Sequence, residues 1–190
     1  TWFIGGSTLA KGQGGYTNRA QVINPEGKLM AHYDKVHLIP LMDEDKYFLP
    51  GRKDCLFDWE GTPSGCVICY DLRFGEWIRH YALKGSKVLF ISAEWPNMRA
   101  EHWNLLLRAR AIENQMYVVA CNRCGTSEGT TFDGGSLVVD PWGKVLLNAG
   151  KMEGFSFLVL DLDKVDEARA KVPVFRDRIP SLYTQIMKEG

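Results

Sequence analysis

The chain has 190 residues, 45% apolar and 12% aromatic, which suits one sizeable core and, as a prior, a single domain. Lys plus Arg and Asp plus Glu both number 23, for zero net charge, so there is no basic footprint for nucleic acid or an anionic membrane and no acidic disordered tail. The longest apolar runs, such as residues 88–91 and 157–160, are far too short to span a bilayer.

The opening Thr1-Trp2-Phe3-Ile4-Gly5-Gly6 lacks an initiator Met, a charged n-region and an apolar h-region. It reads as a strand entered mid-fold, not as a signal peptide, so the expectation is one domain over residues 1–190 that is incomplete at its N-terminus. Residues 2–9 predict a buried strand opening into a loop with Gly12, Gly14 and Gly15. Residues 20–24 and 29–33 flank Pro25-Glu26-Gly27-Lys28 and predict a hairpin. Residues 38–54 form a long irregular loop, a length that usually carries function or disorder. Residues 65–69 read as a buried strand, followed by a polar turn and a helix over residues 75–83. A second buried strand spans 87–92, and Trp103, Leu106, Leu107, Ala109 and Ile112 give helical spacing over 101–115. Further strands are predicted at 117–121, 136–140, 145–147 and 155–162, with Pro141-Trp142-Gly143 as a hairpin turn. A short helix over 163–171, with Asp163 as N-cap, stops before Pro173. Strands and helices alternate in the middle and hairpins lie at both ends, which predicts an α/β fold of mixed sheets with helices outside.

Five cysteines, an odd number in a chain too large to need disulfide staples, favour free thiols in a reducing, cytoplasmic compartment. Cys69 stands where a buried strand meets a turn and then a helix, a junction that exposes a nucleophile near helix N–H groups able to lower a thiol pKa. Lys35 lies just beyond a strand among apolar neighbours and would stabilise both a thiolate and the oxyanion formed on a carbonyl. Spacing alone leaves bland readings open. Cys69 also fits a buried hydrophobe, Lys35 a solvated side chain, and Glu44 a solvated acid within Asp43-Glu44-Asp45.

The motifs taken together resemble the nitrilase, or carbon–nitrogen hydrolase, superfamily. Tyr33-Asp34-Lys35-Val36-His37-Leu38 is similar to its lysine motif, and Glu44-Asp45-Lys46-Tyr47-Phe48-Leu49-Pro50-Gly51 to the loop that follows. Cys69-Tyr70-Asp71-Leu72-Arg73-Phe74 resembles its cysteine motif, and Ala93-Glu94-Trp95-Pro96 the loop after the next strand. Arg108-Ala109-Arg110-Ala111-Ile112-Glu113-Asn114-Gln115 resembles the next helix, and Asn122-Arg123 the end of the strand after it. The motifs follow the family order across essentially the whole chain.

The resemblance implies an α-β-β-α sandwich and a Glu–Lys–Cys triad. By it Cys69 attacks an amide carbonyl, Lys35 and the Tyr70 backbone N–H hold the oxyanion, ammonia leaves, and water hydrolyses the thioester. Glu44 matches a second family glutamate that orients Lys35. The general-base glutamate sits well upstream of the lysine in the family, and no acid before Asp34 fits, since Glu26 falls in the hairpin turn. Either the sequence starts inside the domain, the preferred reading, or this is a base-less homologue. The Asp43-Glu44 loop, the Ala93-Glu94-Trp95-Pro96 loop and the tail Val172-Pro173-Val174-Phe175-Arg176-Asp177-Arg178 resemble the bacterial ω-amidase-like branch, linked to 2-oxo-dicarboxylate monoamides such as 2-oxoglutaramate. An N-carbamoyl amide hydrolase or an aliphatic nitrilase would share the same Cys and Lys, and a non-catalytic scaffold is the rival of another class. The resemblance also implies a homodimer or higher homo-oligomer, assembled through the helices after the Cys and Trp motifs and the tail from about residue 172.

Around this centre, Arg73 either binds a substrate carboxylate or, preferably, braces the elbow, and Arg99 and Arg123 are further cations for such a carboxylate. Glu94 and Trp95 are candidates for a polar selector and a pocket wall. Arg110 and Glu113, at i and i+3, read as structural. His37 is expected to brace the Lys35 loop and His80 to be solvated, while a Cys–His pairing stays open. Two Cys-x-x-Cys pairs, Cys66/Cys69 and Cys121/Cys124, invite a zinc reading. An odd offset within a strand sends Cys66 and Cys69 to opposite faces, so no metal is assigned, and Cys55, Cys66 and Cys121 are read as buried thiols. No cofactor is implied, because neither phosphate-cradling nor dinucleotide glycine spacing occurs. Gly75, where relatives commonly have Pro, should loosen the start of its helix.

Overall fold

The structure, a computed structural model, describes residues 1–12 and 14–189. Its first three strands, β1 (Phe3–Gly12), β2 (Gly15–Ile23) and β3 (Leu29–Asp34), make an antiparallel sheet in that order. The predicted hairpin between β2 and β3 is closed by Gly27 N–H donating to Asn24 O, with Gly27 at φ 78°, where a side chain would be strained. β1 departs from expectation. It runs on to Gly12, and as the outer strand of this sheet most of its side chains are exposed, not buried. The loop at 38–54 is less irregular than its sequence suggests, holding a 3-10 turn at Pro40–Met42 and a one-turn helix, α1 (Glu44–Tyr47).

A six-stranded mixed sheet follows. β4 (Leu56–Trp59) pairs antiparallel with β5 (Thr62–Ile68), and β5, β6 (Val88–Ala93) and β7 (Tyr117–Asn122) run parallel. After a separate hairpin of β8 (Cys124–Ser127) and β9 (Thr130–Asp133), the strands β10 (Leu137–Val139) and β11 (Val145–Asn148) complete the other edge. The crossovers are α2 (Gly75–Leu83) and α3 (Ala100–Asn114), which pack on each other. Two more helices, α4 (Asp163–Lys171) and α5 (Pro180–Glu189), follow. The small sheet stacks on the large one, β1 against β6, β2 against β5 and β3 against β4, giving the layered α/β sandwich the sequence suggested. The small sheet is antiparallel throughout, and the mixed sheet is the six-stranded one.

Local chemistry sets how closely the layers approach. A Cβ at Gly65 would strike the Tyr81 ring, so glycine lets α2 lie directly on β5. Tyr81 then uses its hydroxyl twice, donating to Cys66 O and accepting from Cys55 N–H. Arg110 bonds Glu113 as expected and also donates to the carbonyls of Leu72 and Arg73, so it braces the turn ahead of α2. That guanidinium lies against Gly75, and α2 still begins there, so the absence of proline does not undo the helix start.

Four expectations need correction. Residues 155–162 join no ladder: Phe155, Phe157 and Val159 are more than 90% exposed, while Leu160 packs against the buried cluster of Val88, Tyr117 and Val165. Alternation alone made them look like a strand, but a strand also needs a paired neighbour. α4 is preceded by Leu162 as its N-cap, and Asp163 is its first residue. Cys121 is exposed, since alternation along β7 turns it away from the core that Ala120 enters; Cys55 and Cys66 are buried as anticipated. His80 is not merely solvated: its Nε2 contacts Asp54 Oδ2 at 2.5 Å and its ring stacks on Trp77.

Candidate active site

The parallel strands end together. Ile68 lies beside Ser92, and Ser92 beside Cys121, so the segments leaving β5, β6 and β7 emerge on one rim. In open α/β sheets such a rim is where ligands bind. A cleft of about 340 Å³ opens there, lined by Lys35, Glu44, Cys69, Tyr70, Arg73, Glu94 and Trp95, all of them nominated from the sequence. Arg99 also lines it, along with Asn18, Met42 and Tyr47, which sequence reasoning missed. None of the described lining residues is a histidine, so the Cys–His alternative finds no partner in the cleft.

Lys35 follows β3 directly and is only 3% exposed. Its backbone N–H donates to Asn18 O and its carbonyl accepts from Gly51 N–H. Its ammonium donates to Glu44 Oε2 at 2.5 Å, and Glu44 itself is 8% exposed. Glu44 is satisfied further by Asn18 Nδ2 at 2.9 Å and the Ile39 N–H at 3.0 Å. A buried ion pair is tolerable when its remaining acceptor capacity is filled in this way. One ammonium N–H is engaged with Glu44, leaving the others for a ligand.

Cys69 has φ 47°, a conformation that L-residues rarely adopt and that often marks a functional site. The elbow leads into a five-residue 3-10 turn, Cys69–Arg73, before α2 begins. The sequence suggested that helix N–H groups would lower this thiol's pKa. In the structure burial pushes it up instead; the Lys35 ammonium pulls it down, and the Glu44 and Asp71 carboxylates push it up further. Its Sγ lies 3.8 Å from Glu94 O. Cys66, three residues earlier, is fully buried with its pKa pushed well up by burial, whereas Cys69 opens on the cleft, so the two thiols sit in separate environments.

The loop after β6 is held by Asn122 at the end of β7. Its Oδ1 accepts the Trp95 N–H at 2.7 Å, and its Nδ2 donates to Trp95 O and Gly134 O. Trp95 Nε1 donates to Arg99 O, and its ring packs near Trp103. The Arg73 guanidinium lies 4.7 Å from the Trp95 ring centroid and faces the cleft, so bracing of the elbow falls to Arg110 instead. Glu94 is exposed and pairs with Arg123 at 3.0 Å. Of the three candidate cations, Arg73 and Arg99 line the cleft, and Arg123 is committed to Glu94 and the Phe132 ring.

Comparison with known proteins bears on the family and the fold. The carbon–nitrogen hydrolase family profile matches residues 1–170. A 2-oxoglutaramate amidase of Bacillus subtilis (strain 168) is 44% identical over 180 residues, which cover 95% of this chain and 70% of that protein. The crystal structure of XC1258 from Xanthomonas campestris, a CN-hydrolase superfamily protein with an arsenic adduct in its active site, superposes with a TM-score of 0.88 at 30% identity, covering 94% of this chain and 69% of that one. An amidase mutant from Nesterenkonia sp. AN1, carrying the acetamide moiety of fluoroacetamide on its active-site cysteine, gives a TM-score of 0.81 at 28% identity, with 92% and 63% covered. On the extent of the profile match and these identities, the chain belongs to the carbon–nitrogen hydrolase family.

Proposed function

We propose that the protein hydrolyses the ω-amide of a small dicarboxylate monoamide, with 2-oxoglutaramate the leading substrate, through a thioester on Cys69. The observation that carries this reading is the shared cleft in which the Lys35 ammonium, fixed by Glu44, acts on the Cys69 thiol. The Cys69 sulfur adds to the amide carbon while its proton leaves through a general base. The carbonyl oxygen gains negative charge and is held by the Lys35 ammonium and the Tyr70 N–H. The C–N bond then breaks, the nitrogen takes a proton, and ammonia departs from the thioester. Water adds to the thioester carbon, the C–S bond breaks, and a carboxylate and the free thiol result.

Neither cleft carboxylate contacts the sulfur: Glu44 is committed to Lys35, and Glu94 to Arg123. The family resemblance gives the proton transfer to a further glutamate. Arg73 and Arg99 supply the positive charge that the substrate's free carboxylate requires, and the Trp95 ring supports Arg73.

The test is ammonia release by the full-length protein from 2-oxoglutaramate, succinamate, an N-carbamoyl amino acid and an aliphatic nitrile. The monoamides should be preferred, and Cys69→Ala should abolish release. Preference for the N-carbamoyl compound or the nitrile would reassign the substrate. Turnover that survives Cys69→Ala would end the thioester mechanism, and no turnover on any of the four would favour the scaffold reading.

A further inference from the structure

The bonds that fix Lys35 by Glu44, Asn18 and Gly51 all stay on the lysine side of the cleft. They fix the ammonium within its own loop and say nothing of its distance from the thiol. That relation is set elsewhere. Asp71, two residues after the cysteine, is fully buried and accepts four hydrogen bonds among the described residues. Its Oδ2 accepts the Tyr33 hydroxyl at 2.9 Å and the Ile68 N–H at 3.1 Å. Its Oδ1 accepts the His37 backbone N–H at 3.0 Å and lies 2.7 Å from His37 Nδ1.

These donors are informative in sequence. Tyr33 and His37 stand two residues before and two residues after Lys35, and Ile68 immediately precedes Cys69. Among the described residues, every hydrogen bond joining residues 33–37 to residues 68–73 ends on Asp71. Trp77 Nε1 donates to the Tyr33 hydroxyl at 3.0 Å, and the His37 ring stacks on Phe74 at 3.6 Å, so both donors are themselves held in place. In a dry site, charge-assisted bonds to one carboxylate are short and strong.

We propose that Asp71, clasped by His37, is a positioning residue that sets the Lys35 ammonium against the Cys69 sulfur. It touches neither substrate nor reacting atoms. It acts by tying both loops to one carboxylate, and this rests on the Cys69–Lys35 reading given above. Misplacement of a reacting group by about 1 Å can slow a reaction by roughly 10²-fold, so loosening this joint should appear in kcat and not in KM.

Asp71→Asn disturbs a fully buried acceptor and puts folding itself at risk, so the decisive pair is at His37, which is only half-buried. His37→Leu keeps the packing on Phe74 and removes the Nδ1 donor; His37→Asn restores a donor at nearly the same place. In the full-length protein, His37→Leu should lower kcat by about 10- to 100-fold with KM within about threefold. His37→Asn should recover most of that loss, and both should melt close to the parent. The proposal is overturned if His37→Leu leaves kcat within threefold, if Asn is as slow as Leu, or if the loss tracks a lowered melting temperature. Should the parent itself release no ammonia, the amidase reading fails separately. The rate of Cys69 alkylation by iodoacetamide then decides: a slower rate in His37→Leu, rescued by Asn, supports the joint, and an unchanged rate removes it.

Discussion

At the scale of the residue, the Lys35–Glu44 pair separates charge from shape. Removing Glu44 as Glu44→Ala leaves a buried ammonium unpaired, a change that typically costs about 3–5 kcal/mol and is read from denaturant unfolding. Lys35→Met removes an oxyanion donor and should lower kcat by roughly 10²- to 10³-fold. It should also slow Cys69 alkylation at any given pH, because the ammonium is the leading influence that draws that thiol's pKa down. Cys69 and Lys35 were legible in the sequence because each sits inside a local motif at a strand end. Asp71 and Asn18 were not, since their worth comes from partners far along the chain: Tyr33 is 38 residues from Asp71, and Glu44 is 26 from Asn18. The direction of the Cys69 shift was misread for a related reason. The helix terminus was visible locally, whereas the burial and the two carboxylates arise only from tertiary packing.

At the scale of the element, the rim depends on backbones that approach closely. A Cβ at Gly51 would land on Asp34 O, beside the bond by which Gly51 N–H holds Lys35 O. Gly51→Ala should therefore displace the Lys35 loop and lower kcat while leaving the core largely intact, checked by steady-state kinetics alongside near-ultraviolet circular dichroism. Asn122→Ala removes the acceptor for the Trp95 N–H and should raise KM more than it lowers kcat, since Trp95 and Arg73 belong to the substrate wall. The β5, α2, β6, α3 and β7 series was legible because the strands are short continuous apolar runs and the helix over 100–114 spaces its apolar residues at helical intervals. The four-residue strands β4, β8 and β9 are too short to carry a period. Residues 155–162 show the converse, with alternation present and no ladder to join.

At the scale of the whole molecule, the core holds acids that must stay protonated. Burial pushes the Cys55 thiol up to about 12 and Tyr117 up to about 12, and it also raises Cys66, Tyr33 and Tyr81. A pKa raised in the folded state means that the unfolded chain releases protons first. The stabilisation is thus complete below the ordinary thiol range near 9.0 and is lost as pH rises toward 12. Each such group contributes a slope of about 1.4 kcal/mol per pH unit within its window. Unfolding followed from pH 8 upward should show a steep loss of stability, shallower in Cys66→Ala, where one of these protons is gone. What the sandwich finally provides is one rim at which two loops from different sheets meet, and the most direct measurement there is mass spectrometry of the full-length protein quenched during turnover of 2-oxoglutaramate. The expected result is an acyl adduct on the peptide containing Cys69, stronger in Lys35→Met if thioester hydrolysis is slowed more than its formation, and absent from Cys69→Ala. Steady ammonia release with Cys69 unmodified, or an adduct on another residue, would contradict a thioester at that position.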